Sequence, residues 1–136
     1  MIAQGNVAVS RTGRIFFTFH PFAKPFAKVA EWLPEFKGFA PYPSQQHDFD
    51  SVLSLRIDGN DRLWALDYAS EGAGRPSLQA FDLKTNQLVK KFVFIKEVAG
   101  EGSFLNGFFF RVSLASFSLL LESLLIALPF VVRFSN

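Results

Sequence analysis

The 136-residue sequence contains no cysteine, which excludes disulfides and thiolate metal sites. Histidine is scarce. His20 and His47 lie 27 residues apart in stretches rich in proline and glutamine, without the spacing of a metal-ligand pair, and are read as solvated loop residues. Charge of one sign is also lacking. Fourteen Lys and Arg against twelve Asp and Glu leave a net charge of +2, too small and too mixed a field to steer nucleic acid. The N-terminus, MIAQGNVAVSRTG, has no basic segment leading into an apolar run, so no secretory signal is read there. Phosphate loops, nucleophile elbows and HExxH motifs do not occur, which leaves the common catalytic signatures unrepresented.

What the chain does have is phenylalanine, eighteen in all, and short alternating runs separated by turn residues. Residues 6–10 and 14–19 form one predicted hairpin about the turn 11–13. Residues 51–58 and 62–67 form a second about the turn 59–61. Two more strands, 77–82 and 87–94, flank the polar turn 83–86, where Asp82 and Asn86 suit turn chemistry. Residues 20–44 hold five of the seven prolines and are read as a long loop with at most one irregular strand. Its tandem echo PFAKPFAK interleaves Phe with Lys as single-strand binders do, but without a wider basic surface it is read as loop packing.

An internal repeat organises these pieces. Laying Arg14 on Arg62 places Val9 on Ile57, Ile15 on Leu63 and Phe16 on Trp64, an offset of 48 residues. Propeller blades of four antiparallel strands recur at about 40–50 residues, because one blade cannot bury both its faces alone. The predicted fold class is therefore all-β: a partial β-propeller of about two four-stranded antiparallel blades over residues 1–106.

Residues 107–136 break the pattern. From 112 to 132, fifteen of twenty-one residues are apolar, and both alternation and turn residues are lost. A hydrophobic helix over 113–128, ended by Pro129, is predicted. Such a run has the length of a membrane span, but Glu122 near its centre costs about 3 kcal/mol in a bilayer. Out-of-frame sequence is the preferred reading, ahead of a membrane anchor at 112–132 or a helix packed on the blades. Two blades alone leave the flank of the second uncovered, which invites aggregation.

The order GNVAVSRTGRIFFTFHP, PYPS, LSLRIDGNDRLWALD, FDLKTNQLV, SFLN resembles the major royal jelly/yellow protein family, whose bacterial members are grouped with dopachrome-tautomerase-related and gluconolactonase-like propellers. The resemblance runs over residues 5–106 and stops where Gly107 follows Asn106. It implies a six-bladed propeller of roughly 270 residues at ~45 per blade, of which this chain is a truncated part. It also implies an extracellular or periplasmic setting, and mostly non-catalytic proteins that bind small molecules, biogenic amines among them. Remnant chemistry of a metal-dependent lactonase or tautomerase-like enzyme is the alternative, and a membrane-anchored two-blade module a third reading. No cofactor is expected, with Ca²⁺ or another divalent cation confined to full-length relatives.

Two residues are singled out as ligand-binding candidates. Asp67 ends RLWALD, where it faces either a ligand in the channel or the following loop as a cap. Asn106 is drawn from the resemblance, because an Asn at a comparable strand start helps hold a cation in gluconolactonase-like propellers. A hard cation needs several oxygen ligands, and a turn role for Asn106 is the simpler reading. Trp64 is read as blade core rather than a stacking platform. No catalytic residue, metal ligand or nucleic-acid partner is assigned.

Overall fold

The computed structural model describes residues 4–20, 26–44, 46–69, 74–113, 116–123 and 130–133. Among these residues eleven strands form three antiparallel sheets, a partial β-propeller. The first sheet holds β1 (Gln4–Val9), β2 (Ile15–Phe19), β3 (Val29–Leu33) and β4 (Gly38–Pro41) in chain order. The second holds β5 (Val52–Ile57), β6 (Arg62–Asp67), β7 (Ser77–Asp82) and β8 (Gln87–Val93), also in chain order. The third runs β9 (Leu105–Ser113), β10 (Ser116–Ser123) and β11 (Phe130–Arg133). The first strands of the sheets neighbour one another, with β5 between β1 and β9.

The 48-residue repeat is visible atom by atom. In the first hairpin the Ser10 N–H donates to the Arg14 carbonyl at 2.9 Å, the Gly13 N–H to the Ser10 carbonyl at 3.0 Å, and the Arg14 N–H to Ser10 Oγ at 3.0 Å. In the second, Asp58, Asp61 and Arg62 make the same three bonds at 3.1 Å each, with Asp58 Oδ1 in place of the serine hydroxyl. The turns also share a left-handed residue, Gly13 at φ 82° and Asp61 at φ 56°. Short polar residues tolerate that region better than branched ones.

Alternation along β6 then decides what packs where. Leu63 and Ala65 face the first sheet, in a cluster with Phe16, Val29, Tyr42, Leu55 and Phe81. Trp64 and Leu66 face the other way, onto Leu105 and Phe108 of the third sheet. The period of two puts successive side chains on opposite faces, so a strand apolar throughout is a strand covered twice. Trp64 stacks on Phe92 at 6.1 Å and meets Phe110 edge-on at 5.5 Å, in keeping with a core role.

Three expectations need correction. The proline-rich stretch is not mainly loop: it supplies β3 and β4, which complete the first sheet. Its prolines sit where a ladder tolerates them, Pro34 opening a 3₁₀ turn at Pro34–Phe36 and Pro41 ending the edge strand β4. Pro21 and Pro25, and most of PFAKPFAK, lie outside the described residues. The helix over 113–128 is replaced by strand: β9 reaches Ser113 and β10 covers Ser116–Ser123, while 124–129 lie outside the described residues. An apolar run without alternation suits a buried strand as well as a helix. Here pairing decides, with Leu121 opposite Phe108 and Leu119 opposite Phe110. Among the described residues no helix is long and apolar enough to cross a membrane. The flank of the second sheet is consequently not bare. Leu105 and Phe108 are buried against it, and Arg56 Nε of β5 donates to the Phe108 carbonyl at 3.2 Å.

Candidate cleft between the first two sheets

The first and second sheets are locked together by Arg14. Its guanidinium donates to both Glu31 oxygens, at 2.6 and 2.8 Å, then crosses to the second sheet to reach the Leu83 carbonyl and Asn86 Oδ1. The Glu31 hydrogen bond raises the Arg14 pKa further above its ordinary value. Burial pushes the Tyr42 hydroxyl up as well, against the opposing pull of Arg14. Tyr42 therefore stays neutral and donates to Asn86 Oδ1 at 3.2 Å. Asp58 anchors the equivalent turn of the second sheet. Burial pushes its carboxyl up, but the Trp64 Nε1–H, the Arg62 N–H and guanidinium and the Asn60 N–H outweigh that and hold it below the usual range.

Away from this contact the two sheets part around a cleft of about 470 Å³. Its floor is polar and buried. Gln79, 1% exposed, donates from Nε2 to Ser77 Oγ at 3.2 Å, and its Oε1 meets His47 Nε2 at 2.9 Å. The His47 ring is held edge-on by Phe49 at 4.4 Å and Phe81 at 5.1 Å. His47 is thus half-buried and fixed, not the solvated loop residue predicted. Around the mouth stand Lys28, Asp48, Asp50, Arg75 and Lys91.

Asp67 lies in the wall of this cleft, but its carboxylate is occupied. Oδ2 accepts the Asp50 N–H at 2.8 Å, and Oδ1 accepts the N–H groups of Ser51 at 2.9 Å and Ala69 at 3.1 Å. Those bonds tie the end of β6 to the segment that leads into β5 and to the loop that follows. Asn106 is exposed on β9 and takes no part in lining the cleft, so the two candidates are not brought together. His20 and His47 share no metal cluster: among the described residues no group of three or more His, Asp or Glu converges to hold an ion.

Sequence reasoning missed Lys28, Gln79, Arg75 and Lys91. Gln79 did carry a signal. In SLQAFD it is polar at a position flanked by Ser77 and Phe81 on one face, and a buried polar residue is more informative than an exposed apolar one. The partner that satisfies it, His47, is 32 residues away and has no local mark.

Residues 50–113 match the family model described as major royal jelly protein. Over this stretch the chain is similar to the major royal jelly proteins. The match covers the second sheet and ends with the last residue of β9, so it extends past Asn106. No curated protein matches the chain. Most of the cleft belongs to the matched segment, Asp50, Asp67, Arg75, Ser77, Gln79 and Lys91 among its lining, while Lys28 lies just before β3 of the first sheet.

Proposed function

We propose that this chain is a small-molecule-binding protein of the major royal jelly family that does not transform what it binds, and that the cleft between its first two sheets is the binding site. The observation that carries this reading is the state of Asp67. It is the buried carboxylate in the cleft wall, and three backbone N–H groups occupy it. A general acid or base needs a lone pair or proton within reach of the substrate; Asp67 is instead an anchor for two strand ends. The rest of the floor, Gln79 and Ser77, is held in place by hydrogen bonds to each other and to His47 behind it, which suits it to orienting a polar ligand. A concave site with a few fixed polar groups is the usual form of a small-molecule pocket.

The test is a ligand-observed NMR screen of small polar compounds against the full chain, with amide shifts mapped on the protein. The reading predicts binders that shift Gln79 and Asp67 and are recovered chemically unchanged. Turnover of a bound compound, above all turnover abolished by EDTA, would contradict it.

A further inference from the structure

We infer that the ligand of this cleft is a small organic anion, held through carboxylate or phosphate oxygens by Lys28, Arg75 and Lys91; the inference rests on the reading of the cleft as a binding site. The argument is one of unspent hydrogen-bonding capacity. The three carboxylates and three cations at the cleft balance in formal charge, but they are not equally engaged. Asp67 accepts three backbone N–H groups, and Asp50 accepts the Ser51 hydroxyl at 2.8 Å. Neither ion pair among the described residues involves a cleft cation, since those pairs are Arg14 with Glu31 and Arg62 with Asp58. The side chains of Lys28, Arg75 and Lys91 make no hydrogen bond or ion pair to any described residue, so their donors are turned to the cleft or to solvent.

The cations come from three places in the chain: just before β3, just before β7, and within β8. Donors from separate elements along one cleft suit a ligand with more than one anionic oxygen, and charge-assisted bonds of this kind are about twice as strong as neutral ones. The guanidinium of Arg75 adds a fork matched to a planar carboxylate or to a phosphate. Gln79 has a second amide N–H beyond the one given to Ser77, which supplies a neutral donor at the floor. An amine would meet the reverse situation, with Asp48 as the one cleft carboxylate not already engaged.

Calorimetric titration of the full chain with succinate, inorganic phosphate and tyramine separates the outcomes. Succinate or phosphate binding that weakens at least tenfold in Lys91→Gln and Lys28→Gln supports the inference. Succinate alone marks an organic acid; phosphate alone marks a phosphorylated compound. Circular dichroism melts of both variants check that the loss is not unfolding. Tyramine binding without either anion, or anion binding indifferent to both substitutions, overturns the anion assignment while leaving the cleft as a binding site. Binding of none of the three, together with an empty NMR screen, overturns the binding site itself.

Discussion

The first and second sheets begin with the same hairpin, 48 residues apart, yet live in different surroundings. The second is covered on both faces, by the first sheet through Leu63, Ala65 and Phe81 and by the third through Trp64 and Leu66. Among the described residues the first has another sheet against one face only. Its other face carries Phe17, Phe19 and Phe39 in a small cluster, with Val9 at 58% and Phe26 at 66% exposure beside it. The turns differ in the same sense. Asp58 gathers four donors, including the indole of Trp64, whereas Ser10 in the matching position binds its own turn and Thr12. One repeat unit thus gives a deeply anchored sheet where neighbours cover it twice and a shallower one where they do not. Local sequence sets the hairpin, and burial sets how much each residue contributes.

The largest contrast comes from core truncation. Phe81→Ala, fully buried between the first two sheets, is expected to cost about 3–5 kcal/mol in urea denaturation. Next is the turn pair. Asp58→Asn leaves the Trp64 and Arg62 donors without a charged acceptor and is expected to cost about 2–3 kcal/mol, against about 1 kcal/mol for Ser10→Ala. Equal costs for the two would remove the distinction between the turns. The same contrast has a pH signature. Because the folded carboxyl of Asp58 titrates below its unfolded value of about 3.9, its contribution is full above that value and lost as pH falls through the folded pKa. Denaturation midpoints followed from pH 6 to pH 3 are expected to fall more steeply in the wild type than in Asp58→Asn.

Arg14→Lys follows, at about 1 kcal/mol, because an ammonium cannot span Glu31, the Leu83 carbonyl and Asn86 together. The smallest effect is expected on the open face. Phe26→Ser changes stability by less than about 0.5 kcal/mol but reduces self-association in sedimentation velocity, since an exposed apolar patch promotes it.

Much of this was legible in the sequence, for reasons that differ by element. The hairpins at 6–19 and 51–67 and the strands at 77–82 and 87–94 were marked by alternation and by turn residues such as Asp82, whose Oδ1 accepts the Lys84 N–H at 2.7 Å. Trp64 was legible as core because the interfaces between blades bury large aromatics. The strand β4 was hidden by the prolines around it, which mark a loop unless the strand lies at an edge, whereas β3 is the one irregular strand that the reading allowed. The strand β10 was hidden by its unbroken apolar run, whose period does not separate helix from strand. The cleft was the least legible. Lys28, Asp48, Gln79 and Lys91 are distant in sequence, and only the packing of one sheet on the next brings them together.

Native-state hydrogen exchange tests the central contrast most directly. If the second sheet is held from both sides, the amides of Leu63, Ala65, Leu66, Leu78 and Ala80 exchange more slowly than those of Phe16, Phe17 and Ala30 in the first. Equal protection in the two sheets, or stronger protection in the first, would contradict the account.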